Sequence, residues 1–156
     1  MRIFTLFVVT LLVSLVANCG DGLASLSSEQ QNEMKEAINT LQKTVVAIET
    51  GSINRGDLLD AETAVKLAME RAKLPDGRLK SDINATLGVF RECGEVISEL
   101  ATSVALGGET TSKENELIQR LVKKYPSSFK TNSPKLPDAM GALAIEARKA
   151  YEKVVQ

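Results

Sequence analysis

The sequence contains no histidine and no tryptophan, and it has only two cysteines among 156 residues. Histidine is the commonest general base, the commonest metal ligand and the usual pH switch, so its absence removes all three roles together. Zinc rarely accepts a site built from carboxylates alone. The glycine-rich phosphate loops, the nucleophile elbow and the calcium-loop spacing are also missing. We therefore predict that the protein is not an enzyme and holds no metal or cofactor.

Aromatic residues are scarce, at 4% of the chain. Beyond the first 24 residues they are Phe90, Tyr125, Phe129 and Tyr151. Single-stranded nucleic acids and sugars are bound on exposed aromatic faces, which so few residues can hardly supply. The formal net charge of −1 also offers no general attraction for phosphate backbones. We expect no nucleic-acid partner.

The first residues have the organisation of a secretory signal. Arg2 precedes an uncharged, mainly apolar run over residues 3–16, and small residues follow. The run is shorter than the roughly 20 residues that a membrane-spanning helix needs. We predict a signal peptide over residues 1–24, cleaved after Cys19 or Ala24, no transmembrane segment and an extracellular protein. An uncleaved anchor and bacterial lipoprotein processing at Cys19 stand as alternatives.

The remaining residues, 25–156, are predicted to form a single helical domain. Apolar residues recur at steps of three and four in five segments, which places them on one face of an α-helix. The five sets are Met34, Ile38, Leu41, Val45 and Ile48; Leu58, Ala61, Val65, Ala68 and Ala72; Ile83, Leu87, Phe90, Gly94, Ile97, Ala101 and Val104; Leu117, Ile118, Leu121 and Val122; and Met140, Leu143, Ala147, Ala150 and Val154. No stretch alternates with the period of two that a strand requires. We predict an all-α, four- or five-helix up-down bundle.

Polar residues ahead of three of these segments fit helix N-termini. Ser28 and Gln31 have the spacing of a capping box, and so do Thr111 and Glu114. Asp57 suits the N-cap of the second helix. The chain therefore carries local start signals for three helices.

Charge is distributed unevenly along the chain. Residues 25–119 hold 16 acidic and 10 basic residues, a net of −6, whereas residues 120–156 hold 8 basic and 3 acidic residues, a net of +5. The basic residues are densest at Arg120, Lys123, Lys124, Lys130 and Lys135. This cluster either meets an anionic surface, such as lipid head groups or acidic polysaccharide, or complements the negative C-terminus of the fourth helix.

An acidic row lies on the predicted third helix. Glu92, Glu95 and Glu99 are spaced by three and four residues, so their carboxylates share one side of that helix. Paired carboxylates support acid–base catalysis only where their environments separate their pKa values. Since the row flanks the apolar face, we expect a solvated surface.

Two further residues carry side-chain chemistry of their own. Cys93 is expected to be a small, partly buried apolar residue, with an intermolecular disulfide as the alternative. Asn84-Ala85-Thr86 is an N-glycosylation sequon, and Asn84 is its candidate acceptor if the source is eukaryotic.

Two segments resemble a known protein family. Gly56-Asp57-Leu58-Leu59-Asp60-Ala61, followed by an alanine-rich helix, is similar to the second helix of the fungal hydrophobic-surface-binding protein family, which includes cell-wall mannoproteins. Leu121-Val122-Lys123-Lys124-Tyr125-Pro126-Ser127-Ser128-Phe129 resembles the Leu-Val-x-Lys-Lys-Pro-x-Phe stretch before that family's last helix. The resemblance implies a secreted or wall-associated protein that adsorbs to hydrophobic surfaces or holds a lipid.

Small residues on the apolar faces either let helices pack closely or leave room for an acyl chain. We therefore expect a secreted, non-enzymatic binding protein for a lipid, a fatty acid or a hydrophobic surface. The predicted ligand-binding residues are Lys123, Lys124, Phe129 and Lys130, where the lysines would meet the ligand's carboxylate. The alternative is an extracellular protein–protein interaction module, an effector or host-interaction protein that uses its polarised charge. The sequence leaves the oligomeric state open.

Overall fold

The computed structural model describes residues 26–156 and Leu23. Within this part of the chain there are five α-helices, one short 3-10 helix and no strand, which confirms the predicted all-α bundle. The elements are α1 (Ser28–Glu49), α2 (Arg55–Arg71), α3 (Arg78–Ala105), α4 (Ser112–Lys124), the 3-10 helix (Pro126–Ser128) and α5 (Leu136–Val154). The predicted cleavage sites at Cys19 and Ala24 lie outside the described residues.

Four of the helices form a ring around the core. α1 packs against α2 and α5, and α3 packs against the same two helices. α4 lies outside the ring, against α5 and one edge of α3. α2 and α4 are therefore both neighbours of α3. The surface of α3 between them is the place for a site shared by the three helices.

The capping box of α1 is formed by Ser27 and Gln30, one residue before the predicted pair of Ser28 and Gln31. The Ser27 hydroxyl accepts from the Gln30 backbone N–H at 3.3 Å, and the Gln30 side chain accepts from the Ser27 N–H at 2.9 Å. Gln31 instead donates its amide to the Leu26 carbonyl at 2.9 Å. The predicted pair was therefore wrong by one residue, because both glutamines find partners in the same turn.

The N-cap of α2 lies three residues before the predicted cap at Asp57. Asn54 is the N-cap: its side-chain oxygen accepts from the Asp57 N–H at 3.0 Å, and the Asp57 carboxylate accepts from the Asn54 N–H at 3.1 Å. This earlier start brings Arg55 into the first turn of α2. At α4, Thr111 accepts from the Glu114 N–H at 3.0 Å, as predicted, without the reciprocal side-chain bond.

The core lies inside the ring of four helices. All five apolar positions predicted for α1 are buried, and so are the five predicted for α2. The largest fully buried apolar side chains are Phe90, Met34, Leu41, Ile83, Leu87, Leu121, Leu136, Leu143, Val45, Val65 and Val96. None of the described helices has both the length and the apolar character needed to cross a bilayer.

The C-terminal end of α3 departs from the predicted apolar face. Ile83, Leu87 and Phe90 are fully buried, but Val104 is 78% exposed. The physical reason is the length of α2, which begins beside Gly94, where the Arg55 side chain lies within 4.0 Å of the position a Cβ would take. The last turns of α3 extend past that start, so α2 does not cover them.

Candidate binding groove

A groove of about 700 Å³ lies between α2, α3 and α4. Its apolar lining comes from one or two residues of each helix: Leu58, Leu59, Phe90, Gly94 and Leu117. Charged residues border this lining: Arg55, Arg91, Lys113 and Arg120 among the cations, and Glu62, Glu95, Glu99 and Glu116 among the carboxylates. The volume is within the range of pockets that hold small organic ligands. The groove combines an apolar lining with charges of both signs.

The floor of the groove depends on Gly94, which has no side chain at the point where α2 crosses α3. A Cβ added there would lie 3.9 Å from Leu58 Cδ1 and 4.0 Å from Arg55 Cγ, which is ordinary contact distance. The missing side chain leaves space above α3, and the aliphatic stem of Arg55 lies beside it. A small residue predicted on the apolar face thus lines an opening as well as allowing close packing.

The α2 wall is joined to α3 by an ion pair between Arg91 and Glu62. Arg91 donates to Glu62 Oε1 from Nε at 2.8 Å and from Nη2 at 2.6 Å. The Lys66 ammonium lies 2.6 Å from the same oxygen. These hydrogen bonds, first of all the one from Arg91, hold the pKa of Glu62 below its usual value although burial opposes the shift. Glu62 is therefore a charged, ordered part of the wall.

The α4 wall is joined to α3 by the acidic row. The Lys124 ammonium donates to Glu92 Oε1 at 2.7 Å, and the Tyr125 hydroxyl donates to Glu92 Oε2 at 2.7 Å. One turn away, Arg120 pairs with Glu95. The Glu92 side chain is only 12% exposed, so this part of the row is not the solvated surface that we expected. The acidic row and part of the basic cluster turn out to be each other's partners.

Burial also changes the titration of the groups around Glu92. Burial, together with the neighbouring carboxylate, raises the pKa of Tyr125 to about 12, so its hydroxyl stays protonated and donates. Burial opposes charge on Lys124 and is the largest single influence, but the hydrogen bonds and charges of Glu92 and Tyr125 together outweigh it and raise the pKa of the ammonium. The same ammonium lies 4.9 Å from the centre of the Tyr125 ring, a cation–π distance. These three groups form one fixed polar contact between α3 and α4.

Four charged residues of the groove are not used in such contacts. Arg55 on α2, Glu99 on α3, and Lys113 and Glu116 on α4 make no ion pair or side-chain hydrogen bond with any other described residue. Two cations and two carboxylates thus face the groove with their charges available to a ligand. Sequence reasoning missed all four in this role. The spacing of Lys113, Glu116, Leu117 and Arg120 on one face of α4 is the signal that could have found them.

The predicted ligand-binding residues lie elsewhere. Lys124 is paired with Glu92, whereas Lys123 and Lys130 are exposed. Phe129 is partly buried and packs against the core beside the 3-10 helix. The groove lining contains Arg120 from the basic cluster but none of these four residues. They follow the groove-lining part of α4 in the chain, toward its C-terminal end and beyond.

Cys93 is a free, fully buried thiol on α3. Burial, with a smaller contribution from neighbouring Glu92, raises its pKa to about 12. A thiol that stays protonated and covered is a poor nucleophile. An intermolecular disulfide at this position would first require α3 to separate from the core.

The sequon of Asn84 lies within the first half of α3. Asn84 is exposed, but Thr86 is fully buried and its hydroxyl donates to the Asp82 carbonyl at 2.9 Å. A glycosylating enzyme that recognises the threonine would have to act before α3 packs into the core. Glycosylation of Asn84 is therefore compatible with the folded surface only if it precedes folding.

Comparison with known proteins leaves the chain without an assigned family. No protein-family model, no curated protein and no solved structure matches it. The resemblance to hydrophobic-surface-binding proteins stays a prediction.

Proposed function

We propose that this protein is a secreted, non-enzymatic binding protein that holds a lipid, a fatty acid or a similar amphiphile in the groove between α2, α3 and α4. The observation that carries the proposal is the apolar lining around Gly94 with a charged border on all three helices. Each methylene removed from water contributes roughly 0.8 kcal/mol, so an acyl chain packed against the exposed Leu59 and the opening beside Gly94 adds to the affinity. The bordering charges orient the polar end.

The polar end of the ligand is assigned to the groove's own cations. Lys124 is already neutralised by Glu92, and Lys123 does not line the groove. Arg55 and Lys113 border the apolar lining without a partner among the described residues. The proposal therefore keeps the ligand class expected from the sequence and moves its head group from the basic cluster to these two residues.

Adsorption to a hydrophobic surface is supported by exposed apolar residues on α2 and at the C-terminal end of α3. Leu59 is 52% exposed and lines the groove, and Leu106 is also 52% exposed in the turn that follows α3. With Val104 they place apolar side chains in water outside the core. This agrees with what the resemblance implies and with export directed by residues 1–24, which N-terminal sequencing of protein from culture medium or cell wall would test.

Titration with a fluorescent fatty acid tests the proposal. We expect saturable binding at micromolar ligand, and Ser98→Leu, which puts bulk into the groove lining, should weaken it about tenfold or more. Ala101→Leu is the matched control, because Ala101 is an exposed residue of the same helix outside the lining. No saturable binding of the fatty acid or of any other single-chain amphiphile, or equal effects of the two substitutions, would overturn the proposal.

A protein–protein interaction module is the second candidate. Lys123, Lys130 and Lys135 are exposed and have no ion-pair partner among the described residues, so a positive surface survives folding. Such a surface accelerates encounter with an acidic partner. Salt-sensitive capture of one protein, abolished by Lys123→Glu with Lys130→Glu while fatty-acid binding persists, would favour this candidate.

A further inference from the structure

The two unpaired carboxylates of the groove, Glu99 on α3 and Glu116 on α4, are expected at the same level of the two helices. Arg120 pairs with Glu95, and Lys124 pairs with Glu92, so the two helices run antiparallel. One turn from Arg120 toward the start of α4 is Glu116, and one turn from Glu95 toward the end of α3 is Glu99. Continuing the register set by the two ion pairs therefore brings Glu116 opposite Glu99.

Cations border these two carboxylates. Lys113 lies three residues before Glu116 on the same face of α4, and Arg55 lies across the groove on α2. None of the four makes an ion pair or side-chain hydrogen bond with another described residue. The mouth of the groove thus presents charges of both signs to the polar end of a ligand.

A fatty acid does not match this set of charges. Its single carboxylate would be attracted by Lys113 and Arg55 but repelled by Glu99 and Glu116, and the two carboxylates would stay without a partner. A phosphodiester next to a quaternary ammonium matches both signs. Arginine and lysine bind phosphate oxygens through charge-assisted hydrogen bonds. The ammonium needs only nearby negative charge, because it has no N–H to satisfy.

We infer that the preferred occupant of the groove is a single-chain amphiphile with a zwitterionic head group, of the lysophosphatidylcholine class. This rests on the proposed function and names its ligand. The phosphate is assigned to Lys113 and Arg55, the quaternary ammonium to Glu99 and Glu116, and the acyl chain to the exposed Leu59 and the opening beside Gly94. A groove of about 700 Å³ has the size of one small organic ligand, which favours a single chain.

Calorimetric titration below the critical micelle concentrations tests the head group. The ligands are lysophosphatidylcholine, the free fatty acid and the alkyltrimethylammonium salt with the same chain length. We expect lysophosphatidylcholine to bind about tenfold or more tightly than either of the others. Equal affinity for lysophosphatidylcholine and the fatty acid would overturn the inference and leave the proposed function standing, whereas no binding of any of the three would overturn both.

Substitutions test the negative and the positive residues of the groove separately. The double variant Glu99→Gln, Glu116→Gln should weaken lysophosphatidylcholine binding about tenfold and leave fatty-acid binding equal or tighter. Lys113→Gln should weaken the binding of both lysophosphatidylcholine and the fatty acid. Glu109→Gln is the matched control, because Glu109 is an exposed carboxylate outside the groove lining. If the double variant binds lysophosphatidylcholine like the control, with an unchanged helical circular dichroism spectrum, the assignment of the ammonium is wrong.

Discussion

The two halves of α3 carry the same apolar periodicity, but the last turns of the second half leave the core. In the first half, Ile83, Leu87 and Phe90 have no exposed surface. In the second half, Val96 is still fully buried, whereas Ala101 is exposed and Val104 is 78% exposed, although the spacing predicts both on the apolar face. The comparison teaches that a period of three and four determines which residues share a face, whereas the neighbouring helices determine whether that face is covered.

The difference follows from helix lengths. α3 has 28 residues and α2 has 17. At a rise of about 1.5 Å per residue these are roughly 42 and 26 Å long, so α2 cannot cover the whole of α3. The groove lies where this cover ends, beside Gly94.

The largest expected difference between the two halves is in core packing. Leu87→Ala should lower the free energy of unfolding by about 2–5 kcal/mol, because it removes a fully buried side chain and leaves a cavity. Val104→Ala should change it by about 0.5 kcal/mol or less. Urea denaturation followed by circular dichroism measures both. A comparable loss at Val104 would mean that the end of α3 is covered in solution.

A smaller loss of stability is expected for a substitution at the junction of the two halves, where Glu92 binds residues at the end of α4. Glu92→Ala leaves the Lys124 ammonium and the Tyr125 hydroxyl without their partner, which should cost about 1–3 kcal/mol. Hydrogen exchange should accelerate in α4 more than in α1. Glu99→Gln is the control, since Glu99 has no partner among the described residues. Uniform acceleration in all helices would contradict a local role.

The smallest effect on stability is expected for the ion pair between Arg91 and Glu62, which joins the first half of α3 to α2. The pKa of Glu62 is lowered from 4.5, mainly by the hydrogen bond from Arg91, so the pair stabilises the fold above that pH. The contribution is lost as the pH falls through the lowered value. Because the Arg91 side chain is 53% exposed, the contribution of the ion pair to the free energy of unfolding should be only about 0.2–1 kcal/mol.

The Arg91→Gln variant isolates this contribution. It should lose less stability than the unchanged protein when the pH is lowered from about 6 to about 3, because Glu62 then titrates closer to its ordinary value. Denaturation midpoints at several pH values measure the difference. Parallel curves for the two proteins would show that the pair contributes nothing.

The helices and most of the core could be predicted from the sequence, because both depend on local spacing. The apolar face of α1 from Met34 to Ile48 is buried as predicted, and α3, from Arg78 to Ala105, contains the whole predicted set from Ile83 to Val104. Helix starts were less well determined. At Ser27 and Asn54, several polar residues within one turn compete for the same N–H groups, and only their geometry selects the cap.

The candidate groove and the partners of the charged residues could not be predicted from the sequence, because both depend on how the helices pack. The sequence shows an acidic row and a basic cluster as two separate solvated features. Folding joins Glu92 to Lys124 and Glu95 to Arg120, and it leaves Glu99 and Lys113 unpaired beside an apolar lining. The two pairs connect residues 25 and 32 positions apart in the chain and depend on the register of α4 against α3. Periodicity describes one helix at a time, so it contains no information about that register.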